Sequence, residues 1–125
     1  MTKEEKIYDI KERCLRFAVR IVRFIDRLPR TIAGHEIGRQ LLKAGTSVGA
    51  NVEEADGAVS RRDFVNKTGI ARKEARESNY WLRVIDLSGL LKNPDDMQEL
   101  KWLLNESKEL AKILSSIMSK AKRNL

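Results

Sequence analysis

Residues 7–28 read IYDIKERCLRFAVRIVRFIDRL, and their spacing decides the fold. Ile7, Ile10, Cys14, Phe17, Ile21, Phe24 and Leu28 recur at alternating intervals of three and four residues. That is the a/d seam with which one α-helix packs on others. An arginine stands directly before five of those residues, as Arg13, Arg16, Arg20, Arg23 and Arg27, and Arg30 continues the series. One residue turns a helix by about 100°, so the arginines make a stripe of their own beside the seam. The apolar arc is also wider than a seam. Leu15, Ala18, Val22 and Ile25 add a second strip, which implies contact with a further body, such as another subunit.

The rest of the chain supplies partners for that seam. Thr2-Lys-Glu-Glu5 has capping-box spacing, and Pro29 disfavours helical geometry at Leu28, so the first helix spans 3–28. A second helix over 31–58 keeps the same spacing through Ile37, Leu41, Ala44, Val48, Asn51, Ala55 and Ala58. Gly45 and Gly49 each cost that helix about 1 kcal/mol relative to alanine. Four residues apart, they let another helix approach closely, and we expect one continuous helix rather than a break at Gly45. Asn51 on the seam is expected to hydrogen-bond inside the bundle and fix register. Ser60 caps a third helix over 61–90, whose seam is Phe64, Thr68, Ala71, Ala75, Ser78, Leu82 and Ile85. Its small first half is expected to face the glycines. Asn93-Pro94-Asp-Asp opens a fourth helix over 94–121, with a basic end at Lys120 to Arg123 that is expected to fray. Four long helices joined by short turns imply a single all-α domain over 1–125, an antiparallel up-down-up-down four-helix bundle.

Composition bounds the function. Hydrophobic residues are 42% and charged residues 34%, with only seven Gly and two Pro, as suits a helical globular chain. A single cysteine, Cys14, excludes an internal disulfide. With no apolar leader and no run of eighteen apolar residues, we expect a cytoplasmic protein without membrane contact. The net charge of +7 favours polyanionic partners. That charge is uneven. Residues 3–30 hold nine cations against five acids, residues 31–59 two against four, and residues 60–77 six against three.

Two stripes are therefore candidate nucleic-acid contacts: Arg13, Arg16, Arg20, Arg23 and Arg27 on the first helix, and Arg62, Lys73 and Arg76 on the third, where Asn66, Tyr80 and Arg83 share the face. Arginine, used throughout the first stripe, suits planar bidentate contact with either phosphate or carboxylate. The competing reading pairs it with Glu53, Glu54, Glu74 and Glu77, within the bundle or across a subunit boundary.

Catalytic signals are sparse. There is no phosphate-binding loop, dinucleotide fingerprint or nucleophile elbow. Cys14 lies on the apolar seam and reads as a core thiol, and the one His and one Cys do not make a metal site, so neither metal nor cofactor is expected. Adjacent Glu53 and Glu54 diverge around the helix. The pattern Arg30-Thr-Ile-Ala-Gly-His35 resembles the active-site motif of bundle ribonucleases of the HEPN superfamily, with His as acid or base and Arg on the phosphate. Thr31 stands where Asn, Asp or His is usual, and the motif falls in the first interhelical turn.

Two longer stretches carry a more specific resemblance. Residues 38–55, GRQLLKAGTSVGANVEEA, and residues 61–82, containing RRDFVNK and IARKEARESNYWL, resemble the four-helix-bundle proteins encoded in intervening sequences of bacterial 23S rRNA genes. The accessory variability determinant of diversity-generating retroelements is a related member. The resemblance implies a bacterial protein assembling as a ring-shaped homopentamer, with a basic surface that contacts nucleic acid and, for the retroelement member, a reverse-transcriptase partner. It implies no catalysis. The expectation is thus a non-enzymatic, oligomeric, nucleic-acid-binding bundle. The alternatives are a purely protein-binding scaffold and, more remotely, a ribonuclease using Arg30 and His35.

Overall fold

The computed structural model describes residues 2–125, and the side chains of all of these except Lys3, Lys6, Ile7 and Tyr8. The seam position expected at Ile7 lies outside the described side chains. Four helices make up the fold: α1 (Lys3–Ile25), α2 (Ile32–Asp56), α3 (Arg61–Ser88) and α4 (Pro94–Arg123). Among the described residues there is no strand. Each helix packs on its neighbours in sequence, and α1 closes the bundle against α4, so α1 and α3 stand diagonally across the core.

The helix ends follow local chemistry. Thr2 completes the capping box with Glu5, Ser60 accepts from the Asp63 amide, and Asn93 accepts from the amides of Asp95 and Asp96 ahead of a first-turn proline. Thr31 caps α2 by accepting from the Gly34 amide at 3.1 Å. A Cβ at Gly34 would overlap the Pro29 carbonyl, so the tight α1–α2 turn requires glycine there. The first helix ends at Ile25 rather than at residue 28. Ahead of Pro29 the chain tightens into turn bonds from Arg27 to Phe24 (2.9 Å) and Leu28 to Ile25 (3.2 Å), which still deliver Leu28 to the core. The third helix ends at Ser88 because Gly89 takes the left-handed conformation, φ 68°. The fourth continues to Arg123 instead of fraying at Lys120, with Lys120, Lys122 and Arg123 at the end where the helix dipole favours cations.

The core follows the expected seams except where α2 ends and α3 begins, where Val52 and Val65 are buried and Asn51, Ala58 and Phe64 are only half-buried. Ile10, Cys14, Phe17, Ile21, Phe24 and Leu28 meet Leu41, Val48, Ala71, Ala75, Leu82, Ile85, Leu100, Leu103, Leu110 and Leu114. Two expectations need correction. The glycines of α2 face α1, not the small residues of α3: a Cβ at Gly45 would lie 2.9 Å from Ile21 Cγ1, and one at Gly49 would lie 3.3 Å from Cys14 Cβ. The small residues of α2 accommodate the large residues of α1. Asn51 does not tie two helices together either. Its Nδ2 donates to the Ser47 carbonyl of its own helix at 2.8 Å. The polar register contact is elsewhere, where Asn79 of α3 donates to Leu104 O and to Ser107 Oγ of α4.

Candidate nucleic-acid interface

Numbering α1 as heptads separates its arginines into two rows. Those preceding an a-position residue (Arg13, Arg20, Arg27) stand at g, beside the seam on the α4 side. Arg16, Arg23 and Arg30 stand at c, further out. The structure treats the rows differently. Arg13 donates through Nε and Nη2 to the two carboxylate oxygens of Glu106, at 3.2 and 2.7 Å. Arg20 makes the same fork with Glu99, at 2.9 and 2.5 Å, and lies 3.5 Å from the centre of the Trp102 ring. Arg27 approaches Asp96 at 3.5 Å. Each heptad up α1 meets carboxylates further back along α4, as an antiparallel g–g′ ladder requires.

The alternative expectation of internal pairing therefore holds for half the series, with different partners. The carboxylates are Glu106, Glu99 and Asp96 of α4, not Glu53, Glu54, Glu74 or Glu77. Glu106 is buried, 8% exposed, and Arg13 satisfies it. Hydrogen bonding to Glu106 and to Glu99 raises the Arg13 and Arg20 pKa values above the ordinary arginine value. Glu53 meets a lysine instead: Lys11 bridges Glu53 (3.3 Å) and Asp56 (2.9 Å) on the α2 side, which raises the Lys11 pKa. Glu74 sits half-buried, and desolvation, aided by Glu77, pushes its carboxyl above the usual range.

The remaining candidates are exposed. Arg16, Arg23 and Arg30 on the α1 side, and Arg62, Lys73 and Arg76 on α3, have no carboxylate within 4.0 Å among the described residues. Because α1 and α3 are diagonal, one copy does not unite the two stripes into a single site. On α3, the outermost heptad row is Asn66, Lys73, Tyr80 and Leu87, and the row beside it holds Arg62, Arg76 and Arg83. On α1, the expected second apolar strip is exposed only in part, for Ala18 and Ile25 are half-buried and Ile25 packs on the core. Leu15 is 57% exposed and Val22 47%, with Val19 between them, bordered by Arg16 and Arg23.

Cys14 is fully buried, and burial pushes its thiol up to about 12. Arg30 and His35 are both exposed near the α1–α2 turn. No group of three or more His, Cys, Asp or Glu is placed to hold a metal among the described residues, and no helix of the described chain is long and apolar enough to cross a membrane.

Comparison with known proteins bears on the fold and the family. The family model described as 23S rRNA-intervening sequence protein matches residues 6–116. A solved structure with the same fold is a protein of unknown function from the S23 ribosomal protein family of Bacteroides thetaiotaomicron VPI-5482. It is 36% identical, with a TM-score of 0.78, over 91% of this chain and 98% of that one. No protein of curated function matches. With the family pattern spanning the bundle from the first turns of α1 to the last turns of α4, the chain belongs to the 23S rRNA-intervening sequence protein family.

Proposed function

We propose that this protein is a non-enzymatic bundle that binds nucleic acid through phosphate contacts and works as an oligomer in the cytoplasm. The observation that carries the reading is the set of exposed cations without carboxylate partners on α3: Arg62, Lys73 and Arg76, joined by Arg83. Phosphate is the ligand that neutralises such a row, and its binding is independent of sequence and sensitive to salt. Arg13 and Arg20 are withdrawn from this role, since their guanidinium forks are filled by Glu106 and Glu99 of α4, while Arg27, exposed and 3.5 Å from Asp96, stays partly available. Arg16 and Arg23 remain available beside the apolar strip.

That strip supports self-association. Leu15, Val19 and Val22 form an exposed apolar run on one helix face, and a ring of five copies is the assembly that the family resemblance suggests. The link of the family to 23S rRNA genes makes RNA the first ligand to try, in the setting of an rRNA intervening sequence. A reverse transcriptase is the corresponding partner in a retroelement setting.

Fluorescence anisotropy with labelled RNA at low salt tests the proposal. Wild-type protein is expected to bind, and Arg62→Glu/Lys73→Glu/Arg76→Glu to lose most of that affinity. Equal affinity in the triple variant would refute the α3 assignment. RNA cleavage that vanishes in His35→Ala would instead establish the ribonuclease reading.

A further inference from the structure

We propose that the outward face of α3 is a stacking platform for single-stranded nucleic acid, with Tyr80 as the ring on which a base lies. This rests on the phosphate-binding reading above and adds the form of the ligand.

Tyr80 is 50% exposed, and it is the one aromatic side chain left exposed among the described residues. Phe17 and Phe24 are in the core, and Phe64, Trp81 and Trp102 are half-buried. The ring is also held in place. The Trp81 ring meets it edge-on, with centroids 5.1 Å apart and planes at 76°. Arg83 stands 5.8 Å from its centre and is itself fixed by donating from Nε to Asn79 Oδ1 at 3.0 Å. Asn79 is in turn anchored to α4. A ring oriented before binding loses little freedom when a base stacks on it.

The charges around the ring suit one strand. Arg76 is four residues before Tyr80 and Arg83 three after, so their positions on the helix lie on either side of the ring's, about 6 Å and 4.5 Å away along the axis. Lys73 shares the outermost row with it. Of the α3 carboxylates, Glu77 is three residues before Tyr80 and borders the ring on the α2 side, Asp63 shares its row with Glu74 beyond, and Asp86 lies towards α4, so the cations outnumber the acids beside the ring. In a duplex, base faces are covered by their neighbours, and what reaches a helix surface is phosphate, 2′-hydroxyl and base edge. In a single strand the bases can splay, so ring and cations can act together.

The test uses anisotropy with a labelled oligouridylate of about twenty nucleotides and an RNA duplex of similar length. Variants are Tyr80→Phe, Tyr80→Leu and Tyr80→Ala, each checked by circular dichroism. We expect Tyr80→Ala and Tyr80→Leu to weaken single-strand binding about tenfold, Tyr80→Phe to retain it, and duplex affinity to stay unchanged. Wild-type affinity for the single strand in Tyr80→Leu and Tyr80→Ala would overturn the platform. If Arg62→Ala/Arg76→Ala still weakened binding, the phosphate reading would survive that result. Equal weakening on strand and duplex would also overturn the platform, and a wild-type protein that binds neither RNA would remove both readings together.

Discussion

Arg13 and Arg16 sit three residues apart on one helix, and their substitution is expected to have opposite consequences. Replacing Arg13 strands the buried Glu106 carboxylate, which no other described side chain satisfies. Arg13→Met should therefore cost about 2 kcal/mol in urea denaturation, less than the full cost of a deeply buried pair because Arg13 is partly in water. Arg16→Ala should stay within about 0.5 kcal/mol of wild type. The distinction was legible in the sequence, but only one level deeper than the stripe itself. An arginine before an a residue lies beside the seam, and one before a d residue lies away from it. Glu99 and Glu106, one heptad apart, supplied the other half of the pattern. Two cations from the same apparent stripe can thus have unrelated jobs. Cys14 gives a second residue-scale outcome. Its thiol is fully buried, so thiol reagents should label it only at the rate of unfolding, which a native-state labelling time course would show. Its raised value also sets a sign. Between the ordinary thiol value near 9.0 and about 12, the unfolded chain loses the proton first. The Cys14 contribution to stability is intact below that window and falls as pH rises through it.

At the scale of the helices, caps placed each helix start to within one residue, and the ends were off by two or three. The first helix falls short of residue 28 because turn bonds replace helical ones ahead of Pro29, and the third because Gly89 adopts positive φ. What the spacing did not reveal was which helix the glycines of α2 serve. Periodicity marks the face that is buried, and the size match decides the neighbour: Ile21 and Cys14 are the large and medium residues that fill the space at Gly45 and Gly49. A methyl at Gly45 gains about 1 kcal/mol of helix propensity but drives into the Ile21 side chain, where overpacking costs about 1–3 kcal/mol. Gly45→Ala is expected to lower the urea midpoint, and an increase would mean that α1 yields more readily than its packing suggests. The raised carboxyl of Glu74 sits on the other side of α2, where α3 packs. Its folded form holds a proton more tightly than the unfolded chain, so its charge opposes folding at neutral pH and the opposition fades as pH falls through the raised value. Glu74→Gln should stabilise the protein slightly at pH 7, and that advantage should shrink as pH falls through the raised value.

For the molecule as a whole, the diagonal placement of α1 and α3 separates two surfaces. One is an apolar strip edged by Arg16 and Arg23; the other is a cationic face carrying one aromatic ring. Composition and net charge pointed to a polyanion, but they could not place the charge, because pairing between helices distant in sequence consumes Arg13 and Arg20 and partly engages Arg27. If the strip joins copies, Leu15→Glu/Val22→Glu should reduce the mass measured by light scattering on a sizing column while leaving helicity intact. A mass unchanged in that variant would assign self-association to another face. Binding to nucleic acid is counted more directly through salt. Removing one phosphate-binding side chain should lower the slope of log affinity against log salt concentration by about 0.7 to 0.9. The decisive measurement is that slope for wild type, Arg62→Ala/Arg76→Ala and Arg13→Met, on one RNA under conditions where all three remain helical. Phosphate binding by α3 predicts a slope reduced by about 1.5 in the α3 variant and unchanged in Arg13→Met. A slope unchanged in the α3 variant, or reduced in Arg13→Met, would contradict it.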